Sequence, residues 1–258
     1  MRTRRLGKTE IKVSELVLGG GYVGGLLLHQ GDETKRLAIR HAMEEGINFI
    51  DTAPSYGDGE SERAIGWLLK EVEETPYIST KVAIDAATRN DLVGQIERSI
   101  HDSLARLQRN SVDLLQLHNR LGAEDDGLTL AVKHLFAKRG VIEGLENARS
   151  QGLTKYIGLT ALGEIEPCCT AIESDAFDTA QVYYNLLNPS AGHQMPRAWV
   201  GQTFAGLIDS CRTHDVGVMN IRVFAAGILA TNVRTGREIP ITSEQDLSIE
   251  QCRSDAIF

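Results

Sequence analysis

Four ionisable side chains in this sequence stand at or just after the ends of short apolar runs. Asp51 ends Ile47–Asp51, Tyr56 follows in the next loop, Lys81 sits near the end of Tyr77–Val82, and His118 follows Val112–Leu117. Together they make a set suited to reducing a carbonyl group. A neutral tyrosine, with a pKa of about 10, is a poor acid at neutral pH unless an ammonium group stabilises the phenolate it leaves behind. Lys81 supplies that charge, Asp51 holds and orients Lys81 as an ion pair, and His118 donates a hydrogen bond to a carbonyl oxygen. Singly, each has a plainer role: Asp51 as a turn or helix cap, Tyr56 as loop packing, Lys81 as a solvated strand end, His118 as a satisfied core histidine.

The set is coherent only if the elements bring the four groups to one place. Seven strand-like runs alternate with helical spacing: Leu16–Gly19, Ile47–Asp51, Tyr77–Val82, Val112–Leu117, Lys155–Thr160, Thr179–Tyr183 and Val216–Arg222. Apolar residues recur at steps of three and four between them, as in Leu92, Ile96, Ile100, Leu104 and Leu107, and in Phe204, Leu207, Ile208 and Cys211. Such alternation marks βαβ units and a parallel sheet, and in parallel barrels the chemistry sits at the carboxyl ends of the strands. The four groups then face one mouth. Before the first of these runs, Arg4–Leu6 and Lys12–Val13 flank Gly7-Lys8-Thr9-Glu10 as a small hairpin at the barrel floor. The expected fold class is α/β, of (β/α)8 TIM-barrel type. An eighth strand and its following helix are not visible after Arg222, so the single domain, residues 1–258, reads as truncated at its C-terminus.

Bulk properties narrow the functions. The chain has 258 residues, 42% hydrophobic and 24% charged, enough for a large core. Its formal charge of −8 argues against nucleic acid or an anionic membrane as the main partner. The apolar stretch Leu16–Leu28 is broken by five glycines and followed by no cleavage-site pattern, so it is not a signal peptide, and no run is long enough to span a bilayer. The four cysteines have no disulfide or metal spacing and fall on apolar helix faces, as in Ile165, Cys168, Cys169 and Ile172. No metal site is expected, and a reducing cytoplasm fits best. Gly19-Gly20-Gly21-Tyr22-Val23-Gly24 matches G-x-G-x-x-G, but the next helical pattern begins only near Asp32-Glu33, so it lacks the helix that a Rossmann site needs.

The segment Gly46-Ile-Asn-Phe-Ile-Asp-Thr-Ala-Pro-Ser-Tyr-Gly-Asp-Gly-Glu-Ser-Glu62 resembles the aldo-keto reductase signature around its catalytic aspartate and tyrosine. Similarity continues in Ser79-Thr80-Lys81, Asp113-Leu-Leu-Gln-Leu-His-Asn119, Lys155-Tyr-Ile-Gly-Leu159 and Gln181-Val-Tyr-Tyr-Asn-Leu-Leu187. The resemblance implies a catalytic tetrad of Asp51, Tyr56, Lys81 and His118, with NADPH (or NADH) as cofactor and an aldehyde, ketone or sugar as substrate. It further implies that Gln181 holds the nicotinamide carboxamide, where the plainer reading is a buried strand amide. Arg222 is implied to stack on the nicotinamide ring, and Val223, Phe224, Ala225, Gly227 and Leu229 to lie along the diphosphate. Gly20, Gly21 and Tyr22, with Asp51 and Thr160, complete the expected cofactor residues; Tyr56, His118 and Asn119 are expected to touch substrate. Tyr22, Tyr56, Tyr184 and Trp199 line an aromatic pocket or pack in the core. Two departures stand out: Thr160-Ala161 replaces the family's Ser-Asn, and no counterpart of its eighth strand and following helix is visible. An impaired binding or regulatory protein is therefore the alternative, and open barrel edges invite self-association.

Overall fold

The computed structural model describes residues 1–126 and 129–233, with Gly236, Ile249, Cys252 and Arg253. Its strands, in chain order, are β1 (Thr3–Arg5), β2 (Lys12–Ser14), β3 (Leu18–Gly19), β4 (Phe49–Asp51), β5 (Tyr77–Val82), β6 (Val112–Leu117), β7 (Arg120–Gly122), β8 (Thr129–Ala131), β9 (Thr154–Thr160), β10 (Thr179–Tyr183) and β11 (Gly217–Ile221). The α-helices are α1 (Leu26–His29), α2 (Asp32–Glu44), α3 (Glu60–Leu68), α4 (Leu92–Leu107), α5 (Lys133–Phe136), α6 (Val141–Ser150), α7 (Ile165–Glu173) and α8 (Leu207–Thr213). Seven strands form one parallel sheet in the order β3-β4-β5-β6-β9-β10-β11. Each of the seven strand runs read from the sequence overlaps one of its strands, though only Leu18–Gly19 of the first run and Phe49–Asp51 of the second are strand.

Two apolar clusters divide the labour. The larger packs the outward face of the sheet against the helices, with Ile50, Ile78, Leu115, Ile157, Ala180 and Val182 from the strands meeting Ile96, Leu145, Cys168 and Leu207. Helix α4 shows why the sequence obeys: its buried positions Leu92, Ile96, Ile100, Leu104 and Leu107 make one stripe, and Asp91 caps its start by accepting from the Gly94 amide at 3.0 Å. The smaller cluster, Leu6, Val13, Phe49, Leu114 and Met219, with Tyr77 and Tyr156 against it, fills the inner face at the amino ends of the strands. The β1–β2 hairpin closes this floor. Gly7 makes the contact possible, because a Cβ there would lie 2.2 Å from the Gly217 amide nitrogen. Arg5 fixes the hairpin from outside through two 2.7 Å bonds to Asp215.

Above that floor the inner face turns polar. Lys81 pairs in register with Gln116, Gln116 with Gly158, and Gly158 with Thr179, so these positions share one layer inside the sheet's curve. The change from apolar to polar along each strand places the site at the carboxyl ends.

The structure departs from the sequence reading in two places. Leu26–His29 is a helix of a single turn, α1, between the glycines and Asp32, where none was expected. One turn carries too few residues to show a helical period. β7 and β8 form a small parallel pair after His118, three residues each and too short to show alternation. The expected absence of an eighth strand concerns the chain after Arg222; no strand occurs up to Val233, and most of the chain beyond Val233 lies outside the described residues. No described helix is long and apolar enough to cross a membrane.

Phe49 has no solvent exposure in the floor cluster. Phe49→Ala is expected to cost about 3–5 kcal/mol, read as a lower urea midpoint with an unchanged m-value.

Candidate active site

The Lys81 side chain lies with 0% exposure inside the sheet. Its ammonium donates to Asp51 Oδ2 at 2.7 Å, to the Thr52 carbonyl at 2.8 Å and to Tyr56 Oη at 3.2 Å. Three protons meet three acceptors. Burial alone lowers the Lys81 pKa, but the Asp51 charge and the Tyr56 phenol outweigh it and leave the pKa above the ordinary lysine value. Asp51 is itself held from the other side: Ser79 Oγ and Gln116 Nε2, the latter at 3.1 Å, both donate to Oδ1. Neither Ser79 nor Gln116 was singled out from the sequence, although both lie in the quoted segments one strand step from a tetrad residue.

Tyr56 comes from the loop between β4 and α3. Its phenol reaches Lys81 because that loop is pinned at its far end. Glu62, fully buried in α3, accepts from Thr80 Oγ1 and from Arg106 Nε at 2.6 Å, and Thr52 Oγ1 donates to Ser61 Oγ at 2.8 Å. Gly20 packs on this lock, since a Cβ there would lie 2.2 Å from Ser61 Oγ. Its glycine therefore has a packing reason, whatever else it does. A Cβ on Gly21 would meet the Tyr56 ring at an ordinary 3.8 Å.

His118 presents its ring edge-on to Tyr56, with centroids 5.9 Å apart. Burial, reinforced by the Lys81 charge, lowers its pKa to about 4. At neutral pH it is an uncharged imidazole. Thus Asp51, Tyr56, Lys81 and His118 are brought together. Asn119 is not left open in the same way: its amide accepts from the Ile84 nitrogen at 2.7 Å and donates to the Ile84 oxygen at 2.9 Å.

The expected cofactor residues separate into groups. Thr160 and Gln181 are buried at the ends of β9 and β10, with Thr160 Oγ1 3.5 Å from Gln181 Oε1, and the Gln181 amide nitrogen donates to no described residue. Arg222 follows β11 with φ of +55°, and its carbonyl is tied to Asn185 Nδ2 at 3.1 Å. Ala225 and Ala226 are also left-handed, at +46° and +58°, a conformation costing about 1–2 kcal/mol per non-glycine residue. Val223 and Phe224 are exposed, whereas Ala225 and Leu229 pack with Leu187 and Ile228. The four aromatic rings each have their own neighbour: Tyr22 meets His29, Tyr184 stacks on His193, Trp199 faces Arg253 and Tyr56 lies under Lys81 and beside His118. Among the described residues no group of three or more His, Cys, Asp or Glu is placed to hold a metal ion.

These features define a parallel α/β protein with a carboxylate, a buried ammonium and a phenol clustered at the carboxyl ends of its strands. Residues 15–252 match the profile of the Aldo/keto reductase family, and the chain belongs to that family. It is 32% identical to L-galactose dehydrogenase of Arabidopsis thaliana over 162 residues, 62% of this chain and 48% of that protein. The chain spans about half the length of the curated relatives it matches. Among solved structures, an aldo-keto reductase from Bacillus halodurans in its holo form is similar with a TM-score of 0.71 at 22% identity, covering 98% of this chain and 76% of that one. An aldo-keto reductase from Klebsiella pneumoniae in complex with NADPH gives 0.66 at 22% identity, covering 91% and 71%. At that identity the likeness is one of fold.

The His118 pKa sets a pH dependence. Its folded value, about 4, lies below the unfolded value of about 6.5, so the unfolded chain binds the extra proton first as pH falls. The contribution is present above pH ~6.5 and is lost as pH drops through ~4, amounting to about 3 kcal/mol in full. The expected outcome is a histidine ring resonance titrating near pH 4 that is missing in His118→Gln, and a stability loss between pH 7 and 4.5 that is smaller in that variant than in the wild type.

Proposed function

We propose that this chain reduces an aldehyde or ketone, or oxidises the matching alcohol or sugar, with Tyr56 as the proton donor and NADPH or NADH as the hydride source. The observation that carries this reading is the Lys81 ammonium 3.2 Å from the Tyr56 oxygen and 2.7 Å from Asp51. When the Tyr56 proton passes to a substrate oxygen, the adjacent ammonium stabilises the phenolate, and Asp51 keeps the lysine charged in its buried place. His118, neutral at working pH, offers an N–H to the same oxygen and adds no second acid.

Two side chains at the strand ends, Gln181 and Thr160, support a nicotinamide there. The Gln181 amide nitrogen, with no acceptor among the described residues, suits a carboxamide oxygen; Thr160 borders it, and Ala161 brings no second amide. Gly20, Gly21, Tyr22, Asp51 and Arg222, with Val223, Phe224, Ala225, Gly227 and Leu229, are the remaining proposed contacts; Tyr56, His118 and Asn119 are the proposed substrate contacts. The reduced ring supplies the hydride when bound, and the chain supplies placement and the proton. The name of the plant relative supports a sugar or sugar-like alcohol as one substrate class. The assembled tetrad supports turnover over a binding-only role, and four cysteines without a disulfide support a reducing cytoplasm.

A second reading concerns assembly. Among the described residues β3 and β11 are the two edges of the sheet, and an unpaired edge invites another strand. We propose that these edges self-associate in this 258-residue chain. Sedimentation at rising concentration is expected to show oligomers; a monomer throughout the micromolar range overturns this.

Tyr56→Phe removes the proton donor and little binding surface. Carbonyl reduction is expected to fall by at least ~10²-fold while NADPH affinity, followed by nicotinamide fluorescence, stays within a few-fold. Retention of most of the rate rules out Tyr56 as the acid.

A further inference from the structure

Arg120 opens β7 two residues beyond His118, so its Cα stands at most about 7 Å from that of His118. The chain bends at Asn119, whose amide is bonded to Ile84, and Leu121 beyond it has no exposure. The Arg120 side chain is half-buried, yet its guanidinium makes no hydrogen bond or ion pair with any described residue. Asp126 attracts it without a bond and accepts from the Thr129 amide and hydroxyl at 2.8 and 2.9 Å. Arg222 lies close enough to repel it and to be drawn by Tyr56. Burial depresses both guanidinium pKa values, first through lost solvation.

A chain with a formal charge of −8 thus brings two partly desolvated cations, Arg120 and Arg222, close enough to repel one another, with Tyr56 near Arg222. Guanidinium donors half-withdrawn from water, with no acceptor among the described residues, are left under-satisfied. An anion with two oxygens in a plane, or a phosphate, satisfies them in a bidentate fork.

We propose that Arg120 binds an anionic oxygen group, carboxylate or phosphate, on the carbonyl substrate itself, and so selects acidic aldehydes or ketones over neutral ones. The inference rests on the reductase reading for its substrate carbonyl. It places the anion near His118, two residues before Arg120 in the chain.

The test uses matched probes with and without charge: 4-carboxybenzaldehyde against methyl 4-formylbenzoate, and glyceraldehyde 3-phosphate against glyceraldehyde, the two pairs separating carboxylate from phosphate. Wild type is expected to favour the charged member of at least one pair. Arg120→Gln should raise its KM by about tenfold or more, leave the neutral member within twofold, and leave NADPH affinity unchanged; Arg120→Lys should recover part of the loss. Equal shifts for both members, no shift, or an effect confined to NADPH binding overturns the proposal. If no aldehyde turns over, calorimetric titration of 4-(hydroxymethyl)benzoate and its methyl ester into both proteins decides. Charge-selective binding lost in Arg120→Gln keeps Arg120 and sinks the reductase reading, and charge-blind or absent binding sinks Arg120.

Discussion

The buried Lys81 ammonium is the constraint around which this molecule is organised. A lone ammonium in the interior is costly by several kcal/mol, and it persists here because each of its three protons has an acceptor: Asp51, the Thr52 carbonyl and Tyr56. That geometry demands the β4–β5 register that sets Asp51 opposite Ser79, and it demands a loop returning the Tyr56 phenol to the same point. Removing one acceptor leaves a charge unpaired, so this part of the chain has few tolerable alternatives.

The supporting residues are polar and buried for the same reason. Ser79 and Gln116 occupy the Asp51 oxygen that Lys81 leaves free, which fixes the carboxylate rotamer. Glu62, with Thr80 and Arg106, anchors α3, and α3 anchors the loop carrying Tyr56. A row of polar groups in the upper barrel weakens its hydrophobic stabilisation. The apolar floor and the helix–sheet core carry that load, with Phe49, Leu114 and Met219 below the site and Ile96, Leu145 and Leu207 around it. Stability and chemistry are thereby separated along the strand axis.

Charge around the mouth is ordered by the same low-dielectric surroundings. Lys81 is kept charged by a carboxylate in contact, His118 is kept neutral by burial beside that lysine, and Arg120 and Arg222 stay cationic despite desolvation. The interior decides each charge by contact distance rather than by the net acidity of the chain.

Much of this was legible in the sequence. The apolar runs and helical stripes pointed to the parallel sheet, because a strand buried on both faces leaves a short unbroken apolar run and a helix buried on one face leaves a period of three to four. Asp51, Tyr56, Lys81 and His118 were legible as residues of the right chemistry at strand ends. The single-turn α1 and the β7–β8 pair were not, being shorter than one period. Nor were the residues that act through contact across strands: Ser79 and Gln116 on Asp51, Glu62 joining Thr80 to Arg106, and Asn185 holding the Arg222 carbonyl. Their partners lie up to 65 positions away, and no local pattern encodes such a pair. The sequence by itself determined which groups are available and on which face of each element they stand. Only the tertiary structure decided which of them meet, that Asn119 is spent on Ile84 while Arg120 is left without an acceptor among the described residues, and how burial sets the protonation of His118, because distance and desolvation exist only once the strands are side by side.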